Sequence, residues 1–192
     1  MAAAPALTFP PELLLRAQGP GLGMRAAIFD VDGVLTDGRL FIGEAGEVFK
    51  AFHVHDGHGL KLLARAGIEP VVITGRDSAA VRRRVADLGL ERALFGIEDK
   101  LAAAEALRAE QALDWGQIAV IGDDWPDLPL LGRAGFACAP PDAHAEVRAL
   151  VHHVTAARAG AGAAREFCDI LLQACGRYAA LLRAHQDTLD GR

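Results

Sequence analysis

The sequence predicts an α/β fold in which a doubly wound parallel sheet is covered by helices on both faces. Short apolar segments alternate along the chain with longer segments that have the 3.6-residue periodicity of a helix. The apolar segments are continuous, as is typical of strands buried on both faces of a parallel sheet. With 192 residues the chain has the length of one domain, which we expect over residues 24–182, after an N-terminal leader (1–23) and before a C-terminal tail (183–192).

The elements follow one another in a strand–helix order that one segment interrupts. In the proline-rich leader, a single helical turn is expected at 12–17. Buried strands are expected at 25–30, 70–74, 93–96, 117–122 and 135–139. Between them the periodicity predicts helices at 57–66, 78–88, 99–113 and 126–134, and an apolar stripe predicts a last helix at 162–182.

The interruption comes directly after the first strand. Residues 39–42 and 47–54 flank a turn at 43–46 that contains Gly43 and Gly46, a pattern that favours a β-hairpin. We therefore expect a small hairpin insert, over about residues 38–54, and no large cap domain. Its apolar residues predict burial, either against other copies of the chain or on the hairpin's own core, and are Leu40, Ile42, Val48, Phe49 and Phe52.

Composition and charge exclude several classes of protein. The net charge of −5 provides no positive field that would attract nucleic acid. No apolar segment reaches membrane-spanning length, and the N-terminus lacks the basic region of a secretory signal. We expect a cytoplasmic protein without nucleic-acid or membrane partners, in which Cys138, Cys168 and Cys175 are reduced core thiols.

The strongest local motif is the acid pair Asp30 and Asp32 at the end of the first strand. Strand side chains repeat every two residues, so both carboxylates point the same way, at the sheet edge where α/β proteins bind ligands. A pair of solvated turn acids would have the same spacing. A calcium loop is excluded because Val34, Leu35 and Phe41 occupy its fifth, sixth and twelfth positions.

Later strands of the predicted sheet also end in groups suited to phosphate or Mg²⁺. Thr74 and Arg76 follow the second strand, and Lys100 opens the helix after the third. Taken alone, this lysine would be a surface residue, and an acidic turn after the fourth strand would cap a helix. Four strand ends with suitable groups nevertheless predict one site, to which the fourth strand contributes Asp123, Asp124 and Asp127.

This order of motifs over residues 25–130 resembles the haloacid dehalogenase superfamily of phosphotransferases. Within it, residues 50–59, 73–76 and 160–166 resemble the family of 3-deoxy-D-manno-octulosonate 8-phosphate phosphatases, over nearly all of 25–176. The resemblance implies Mg²⁺-dependent hydrolysis of that phosphorylated sugar acid through an aspartyl-phosphate, in lipopolysaccharide precursor synthesis. It also implies a homotetramer in which inserted hairpins associate and a neighbour's C-terminal segment covers the site.

Roles for individual residues come from position and from the resemblance. Asp30 is expected to be the nucleophile and Asp32 the general acid and base. Mg²⁺ is expected on the Asp30 and Asp123 carboxylates and the Asp32 backbone carbonyl. Thr74 and Lys100 would surround the phosphoryl oxygens, while Asp124 and Asp127 orient metal-bound waters or Lys100. The residues expected to bind the sugar are His53, His55, Asp56, Gly57, Lys61, Arg76 and Arg84.

Two departures from the family pattern leave the substrate open. His55 stands where the family usually has an arginine, and Ala161 replaces the arginine of a glycine-rich turn. A permanent cation is lost at each position. A phosphatase for another sugar phosphate, such as a nine-carbon ulosonate 9-phosphate, is therefore an alternative, as is a noncatalytic assembly module. A receiver domain does not fit, because Asp30 and Asp32 share one strand end.

Overall fold

The computed structural model describes residues 5–19 and 23–190. Its main sheet has six parallel strands in the order β5-β4-β1-β6-β7-β8, and a separate antiparallel pair forms the hairpin β2-β3. The strands are β1 (Ala26–Phe29), β2 (Phe41–Gly43), β3 (Gly46–Phe49), β4 (Glu69–Ile73), β5 (Arg92–Leu94), β6 (Ile118–Ile121), β7 (Phe136–Ala139) and β8 (His153–Val154). The predicted doubly wound α/β fold with a hairpin insert is confirmed.

Helices cover both faces of this sheet and divide the core in two. The helices are α1 (Pro11–Ala17), α2 (Val54–Ala66), α3 (Ala79–Leu88), α4 (Lys100–Glu110), α5 (Leu128–Leu131), α6 (Ala145–Leu150), α7 (Ala163–Ala174) and α8 (Tyr178–Asp190). On one face α2 and α7 pack together, and the ring of Phe167 meets those of Phe29 and Phe136. On the other face, α4 and α5 bury Leu107 and Leu130 against the sheet. No helix in the described part of the chain has the length and apolar character needed to span a membrane.

The sheet order determines where the site lies. Strand β1 is central and pairs with β4 on one side and β6 on the other, with Phe29 in register with both Val72 and Ile121. Because the strands are parallel, their carboxyl ends meet at one edge. The segments that follow these strands therefore start from neighbouring points.

The C-terminal region differs from the prediction. The single helix expected at 162–182 is two helices, because Gly176 adopts a left-handed φ of 70° and the backbone N–H of Arg177 donates to Leu172 O at 2.9 Å. This pattern ends α7 in the way that glycine commonly ends helices. The tail expected from residue 183 is helical as far as Asp190, and residues 191–192 lie outside the described residues.

Two elements were not predicted. Helix α6 and strand β8 follow β7, and β8 pairs in parallel with it through Cys138 and His153. An edge strand of two residues has no apolar run that a sequence pattern can detect. The cysteine prediction was also wrong in part, since Cys138 and Cys168 are buried but Cys175, which follows the last residue of α7, is exposed.

The leader contacts helix α7, and the hairpin ends a few residues before helix α2 begins. Where described, the leader is tied to α7, because Gln18 donates to Ala174 O at 3.2 Å and Gln173 donates to Leu7 O at 2.9 Å. Residues 1–4 and 20–22 of the leader lie outside the described residues.

Strand β3 ends at Phe49 and helix α2 begins at Val54, earlier than the predicted 57, so the expected sugar-binding loop forms the first turn of α2.

Candidate active site

A cavity of about 600 Å³ opens at the carboxyl ends of β1, β4 and β6. The groups that follow the three strands meet there, as their positions in the sheet require. The cavity brings together all the residues expected to perform chemistry or to support it, together with one of the expected sugar-binding residues. Those that line it are Asp30, Asp32, Thr74, Arg76, Lys100, Asp123, Asp124 and Asp127.

Lys100 joins two of the carboxylates. It is the first residue of α4, where Asp99 caps the helix by accepting the Ala102 N–H at 2.9 Å. From this position its buried ammonium donates to Asp30 Oδ1 and to Asp127 Oδ1, each at 2.7 Å. Since a buried lysine requires such partners, the ion pairs fix Lys100 beside Asp30.

Asp127 organises the acidic turn after β6. Its second oxygen, Oδ2, accepts the backbone N–H groups of Asp123 at 3.0 Å and Asp124 at 3.4 Å. Both oxygens of the Asp127 carboxylate therefore have donors, one from Lys100 and one from the turn itself. This carboxylate positions its neighbours, and the Asp30 and Asp123 carboxylates are better placed to receive a cation.

Mutual repulsion perturbs the acids of this cluster. Oxygens of Asp30, Asp123 and Asp127 all lie within 4.8 Å of one another. Burial, and then the charge of Asp127, raise the pKa of Asp30 to about 6, although Lys100 opposes this shift. Burial, and then the charge of Asp30, raise the pKa of Asp123 to about 8. A bound cation would relieve both effects.

The donor set fits Mg²⁺. Mg²⁺ is a hard ion that prefers oxygen ligands and is commonly held by one or two carboxylates. Asp30 and Asp123 supply such oxygens, and the Asp32 backbone lies at the same strand end. The residues present therefore match the ion that the sequence predicts at this site.

Gly33 allows the Asp123 carboxylate to approach the loop after β1. Its φ is +86°, and a Cβ atom there would lie 2.0 Å from Asp123 Oδ2. A non-glycine residue would be strained and would displace the carboxylate.

We predict that Gly33→Ala lowers the phosphatase activity expected from the sequence by about 100-fold or more, because the displaced Asp123 carboxylate loses its position for the expected metal. Gly67→Ala is the matched control, since Gly67 has a similar φ of +83° but no atom within 4 Å of the added Cβ. Both variants carry the backbone strain, so steady-state kinetics and thermal unfolding separate it from the displacement. Equal activity losses in the two variants would contradict the prediction.

The carboxylate of Asp32 is held by two cations. Lys50 Nζ lies 2.5 Å from Asp32 Oδ1, and Arg76 Nε lies 3.5 Å from Asp32 Oδ2. No role was assigned to Lys50 from the sequence, since a lysine at the end of a hairpin is usually solvated. Its contact with Asp32 joins residues 18 positions apart and depends on how the chain returns from the hairpin to the domain. Thr74, which directly follows β4, is buried, and its Oγ1 accepts the Arg76 N–H at 3.4 Å.

Most of the expected sugar-binding residues lie away from this cavity. His53 and His55 line a second cavity of about 370 Å³, which also borders Ala161 and Arg165 at the start of α7. Asp56 is buried and accepts the backbone N–H of Arg165 at 2.8 Å, so it ties α2 to α7. We conclude that Asp56 supports the loop that contains His53 and His55 by tying it to α7.

The remaining residues of this set support the same loop or face solvent. Arg84 donates to His53 O at 3.5 Å and lies over the ring of Phe52, with its Cζ 5.8 Å from the centroid. Gly57 leaves space for the Arg84 side chain, because a Cβ at Gly57 would lie 2.3 Å from Arg84 Nη2. Lys61 is exposed on α2 and donates to Asp87 O at 3.5 Å. Of the seven expected sugar-binding residues, Arg76 is the one that lines the acidic cavity.

The fold and the acidic site define a phosphotransferase of the haloacid dehalogenase superfamily. A 3-deoxy-D-manno-octulosonate 8-phosphate phosphatase from Haemophilus influenzae is 44% identical over 154 residues, which are 80% of this chain and 86% of the relative. The chain belongs to the family of 3-deoxy-D-manno-octulosonate 8-phosphate phosphatases. No family model matches it.

Solved structures agree with this assignment. A probable YrbI family phosphatase from Pseudomonas syringae is 43% identical with a TM-score of 0.87, and the match covers 95% of this chain and all of that one. The phosphatase from Moraxella catarrhalis, crystallised with magnesium, phosphate and the sugar acid, is 36% identical with a TM-score of 0.85 and covers 91% and 98% of the two chains.

Proposed function

We propose that this chain is a magnesium-dependent phosphatase that hydrolyses 3-deoxy-D-manno-octulosonate 8-phosphate to the free sugar acid and phosphate. The observation that carries the proposal is the convergence of Asp30, Asp32, Lys100 and Asp123 on one cavity, in a chain of this family. The reaction belongs to lipopolysaccharide precursor synthesis, and we propose that it takes place in the cytoplasm.

The residues of the cavity support a reaction in two steps, in which the phosphoryl group is transferred first to Asp30 and then to water. A carboxylate oxygen of Asp30 bonds to phosphorus, while the ester P–O bond breaks and its electron pair goes to the leaving oxygen. Asp32 donates a proton to that oxygen. Asp32 then takes a proton from the water that attacks the aspartyl-phosphate, which releases phosphate and restores Asp30.

Charge develops on the phosphoryl oxygens during both transfers. Lys100 and the hydroxyl of Thr74 are proposed to stabilise this charge from fixed positions, which is most of the catalytic work in phosphoryl transfer. Asp30, Asp123 and the Asp32 backbone carbonyl would hold Mg²⁺, which when bound offsets the repulsion between the phosphate and Asp30. Asp124 and Asp127 are proposed to orient metal-bound water and Lys100.

Residues of both cavities are proposed to contribute to binding of the sugar, each cavity through different side chains. Arg76 is proposed to contact the substrate inside the acidic cavity. His53, His55 and Lys61 are proposed to contact the sugar, the two histidines from the second cavity. Gly57, Asp56 and Arg84 would act by holding that loop, as their contacts with α7 and His53 indicate.

The exposed hairpin supports the proposal of a homotetramer. Phe41 and Phe49 stack on each other with centroids 4.2 Å apart, yet Ile42 and Val48 are each 65% exposed. A hairpin that formed its own core would bury such residues, whereas these form an apolar patch of the kind that associates. Association of hairpins would also cover the open cavity in the absence of a large cap.

We predict that Ile42→Asp dissociates the oligomer, because a charge would be buried in the hairpin contact. Light scattering after size exclusion should give a smaller particle than the unmodified chain. Leu15→Asp is the matched control, since Leu15 is 69% exposed on α1, outside the hairpin. A particle of unchanged mass for Ile42→Asp would contradict a hairpin-mediated assembly.

Phosphate release from a panel of phosphosugars, with and without Mg²⁺, tests the proposed activity. We expect the eight-carbon sugar acid phosphate to have a kcat/KM at least about tenfold above other esters. The second candidate substrate is a nine-carbon ulosonate 9-phosphate, which stays open because His55 and Ala161 stand where the family usually has arginines. A higher kcat/KM for that ester would reassign the substrate, and no hydrolysis of any ester would refute the phosphatase itself.

A further inference from the structure

Lys50 lies just after β3, at the point where the hairpin returns to the domain. Its side chain has no solvent exposure, although the hairpin strands beside it are largely exposed. Burial of an ammonium group is costly unless charged partners surround it. An apolar residue would fill this position more simply, so the contacts of Lys50 require an explanation.

Those contacts form a chain from the hairpin to the acidic cavity. Lys50 Nζ lies 2.5 Å from Asp32 Oδ1 and 3.1 Å from Glu47 Oε2. The other oxygen of Glu47 accepts the hydroxyl of Ser78, the residue that caps α3. Glu47 is thereby anchored to the domain, and it holds the ammonium group against Asp32.

The geometry leaves Asp32 little freedom. Arg76 approaches its second oxygen at 3.5 Å, and the Asp32 side chain is 22% exposed toward the cavity. Arg76 itself is 58% exposed and can move to the substrate, whereas Lys50 cannot leave its buried position. Of these two cations, Lys50 is therefore the fixed support.

We propose that Lys50 is a positioning residue, which holds the Asp32 carboxyl group where it can donate a proton to the leaving oxygen. The inference rests on the proposed role of Asp32 as the general acid. When the ester P–O bond breaks, its electron pair passes to the leaving oxygen, the proton passes from Asp32 to that oxygen, and the resulting carboxylate remains paired with Lys50. Glu47 and Ser78 set the place of Lys50.

Leaving-group dependence separates this role from a structural one. An alkyl phosphate needs a proton on its leaving oxygen, whereas p-nitrophenolate leaves as a stable anion. We expect Lys50→Met to lower kcat/KM by about 30- to 300-fold on the sugar acid phosphate but by less than about threefold on p-nitrophenyl phosphate. The ratio kcat/KM reports the steps up to release of the leaving group, so it excludes the later step, shared by both esters, in which Asp32 accepts a proton from water. Lys50→Arg, which retains the charge, should restore part of the loss.

Three further variants guard against misfolding and indirect effects. Glu47→Gln removes the negative charge of one partner of Lys50 and should give a smaller loss with the same leaving-group dependence. The double variant Asp32→Asn/Lys50→Met should be no slower than Asp32→Asn alone, because residues that act as a unit are not additive. Arg83→Met is the matched control, since it removes a cation from an exposed ion pair with Asp87 on α3.

Equal losses of kcat/KM on both esters for Lys50→Met, or no loss on either, would overturn the proposal. Asp32→Asn is measured beside it to distinguish the two levels of inference. If Asp32→Asn lowers kcat/KM equally on both esters, then the assigned general acid is wrong, and the Lys50 proposal falls with it. If Asp32→Asn shows the dependence and Lys50→Met does not, only the positioning role is refuted. If the wild-type protein does not hydrolyse the sugar acid phosphate, the same comparison is made with another phosphosugar of the panel that the protein does hydrolyse.

Discussion

Replacing Asp30 with asparagine is expected to abolish phosphate release while the domain stays folded. An amide oxygen cannot form the covalent bond to phosphorus that the carboxylate forms, so the first transfer has no nucleophile. We expect kcat to fall by about 10⁴-fold or more. Measurement of phosphate release, with trapping of labelled phosphate on the protein, tests the role. A variant with near-native activity would show that Asp30 is not the nucleophile.

The same substitution is expected to raise stability when no metal is present. The pKa of Asp30 is raised to about 6, so folding is penalised at any pH where the carboxyl group is charged. This penalty is absent below the unfolded pKa and complete above the folded one. Near neutral pH we therefore expect Asp30→Asn to gain about 1 to 3 kcal/mol in the free energy of unfolding, a gain that disappears toward about pH 4. Urea titrations at the two pH values measure it, and a loss of stability near neutral pH would contradict the assignment.

Removal of Mg²⁺ is expected to have a comparably large effect on activity. Without the ion, no cation offsets the repulsion between Asp30 and the phosphate, and Asp30 and Asp123 each oppose the ionisation of the other. Chelation should therefore suppress turnover by about 1,000-fold, and Mg²⁺ should raise the thermal unfolding midpoint. Asp123→Asn should lose most of the thermal response, whereas Asp87→Asn, on the exposed surface of α3, should keep it.

Protons should compete with the metal at this site. The pKa of Asp123 is raised to about 8 in the metal-free protein, so the carboxyl group holds a proton through much of the neutral range. Because metal ligands must be deprotonated, the apparent affinity for Mg²⁺ should increase about tenfold or more between about pH 6 and pH 8.5. Midpoint shifts against Mg²⁺ concentration at both values test this. An affinity that is independent of pH would show that these carboxylates do not bind the ion.

The sequence was sufficient for the fold because its signals were local and strong. Continuous apolar strands and periodic helices alternate from residue 25 onward, and each helix of the central region lies close to its predicted position. The errors fall where the signal is weak. Strand β8 has only two residues, and the break between α7 and α8 depends on the left-handed conformation of Gly176, which a periodic apolar stripe does not reveal.

The site was predictable where residues follow strands and unpredictable where they depend on packing. Asp30, Thr74 and Asp123 meet because parallel strands end at one edge, a property that the order of elements already contains. Lys50 reaches Asp32 only through the return of the chain from the hairpin, which no local pattern encodes. For the same reason the burial of Asp56 against α7 was not foreseen, since it joins segments that lie 109 residues apart.

Cys175 gives the natural chain a single convenient point of attachment. The chain has three cysteines, of which Cys138 and Cys168 are enclosed in the core and have thiol pKa values raised by burial. A thiol-reactive fluorophore should therefore couple almost entirely at Cys175, between α7 and α8, without any engineered cysteine. Energy transfer between donor and acceptor dyes carried on different copies would then report, in real time, whether copies of the chain associate and exchange.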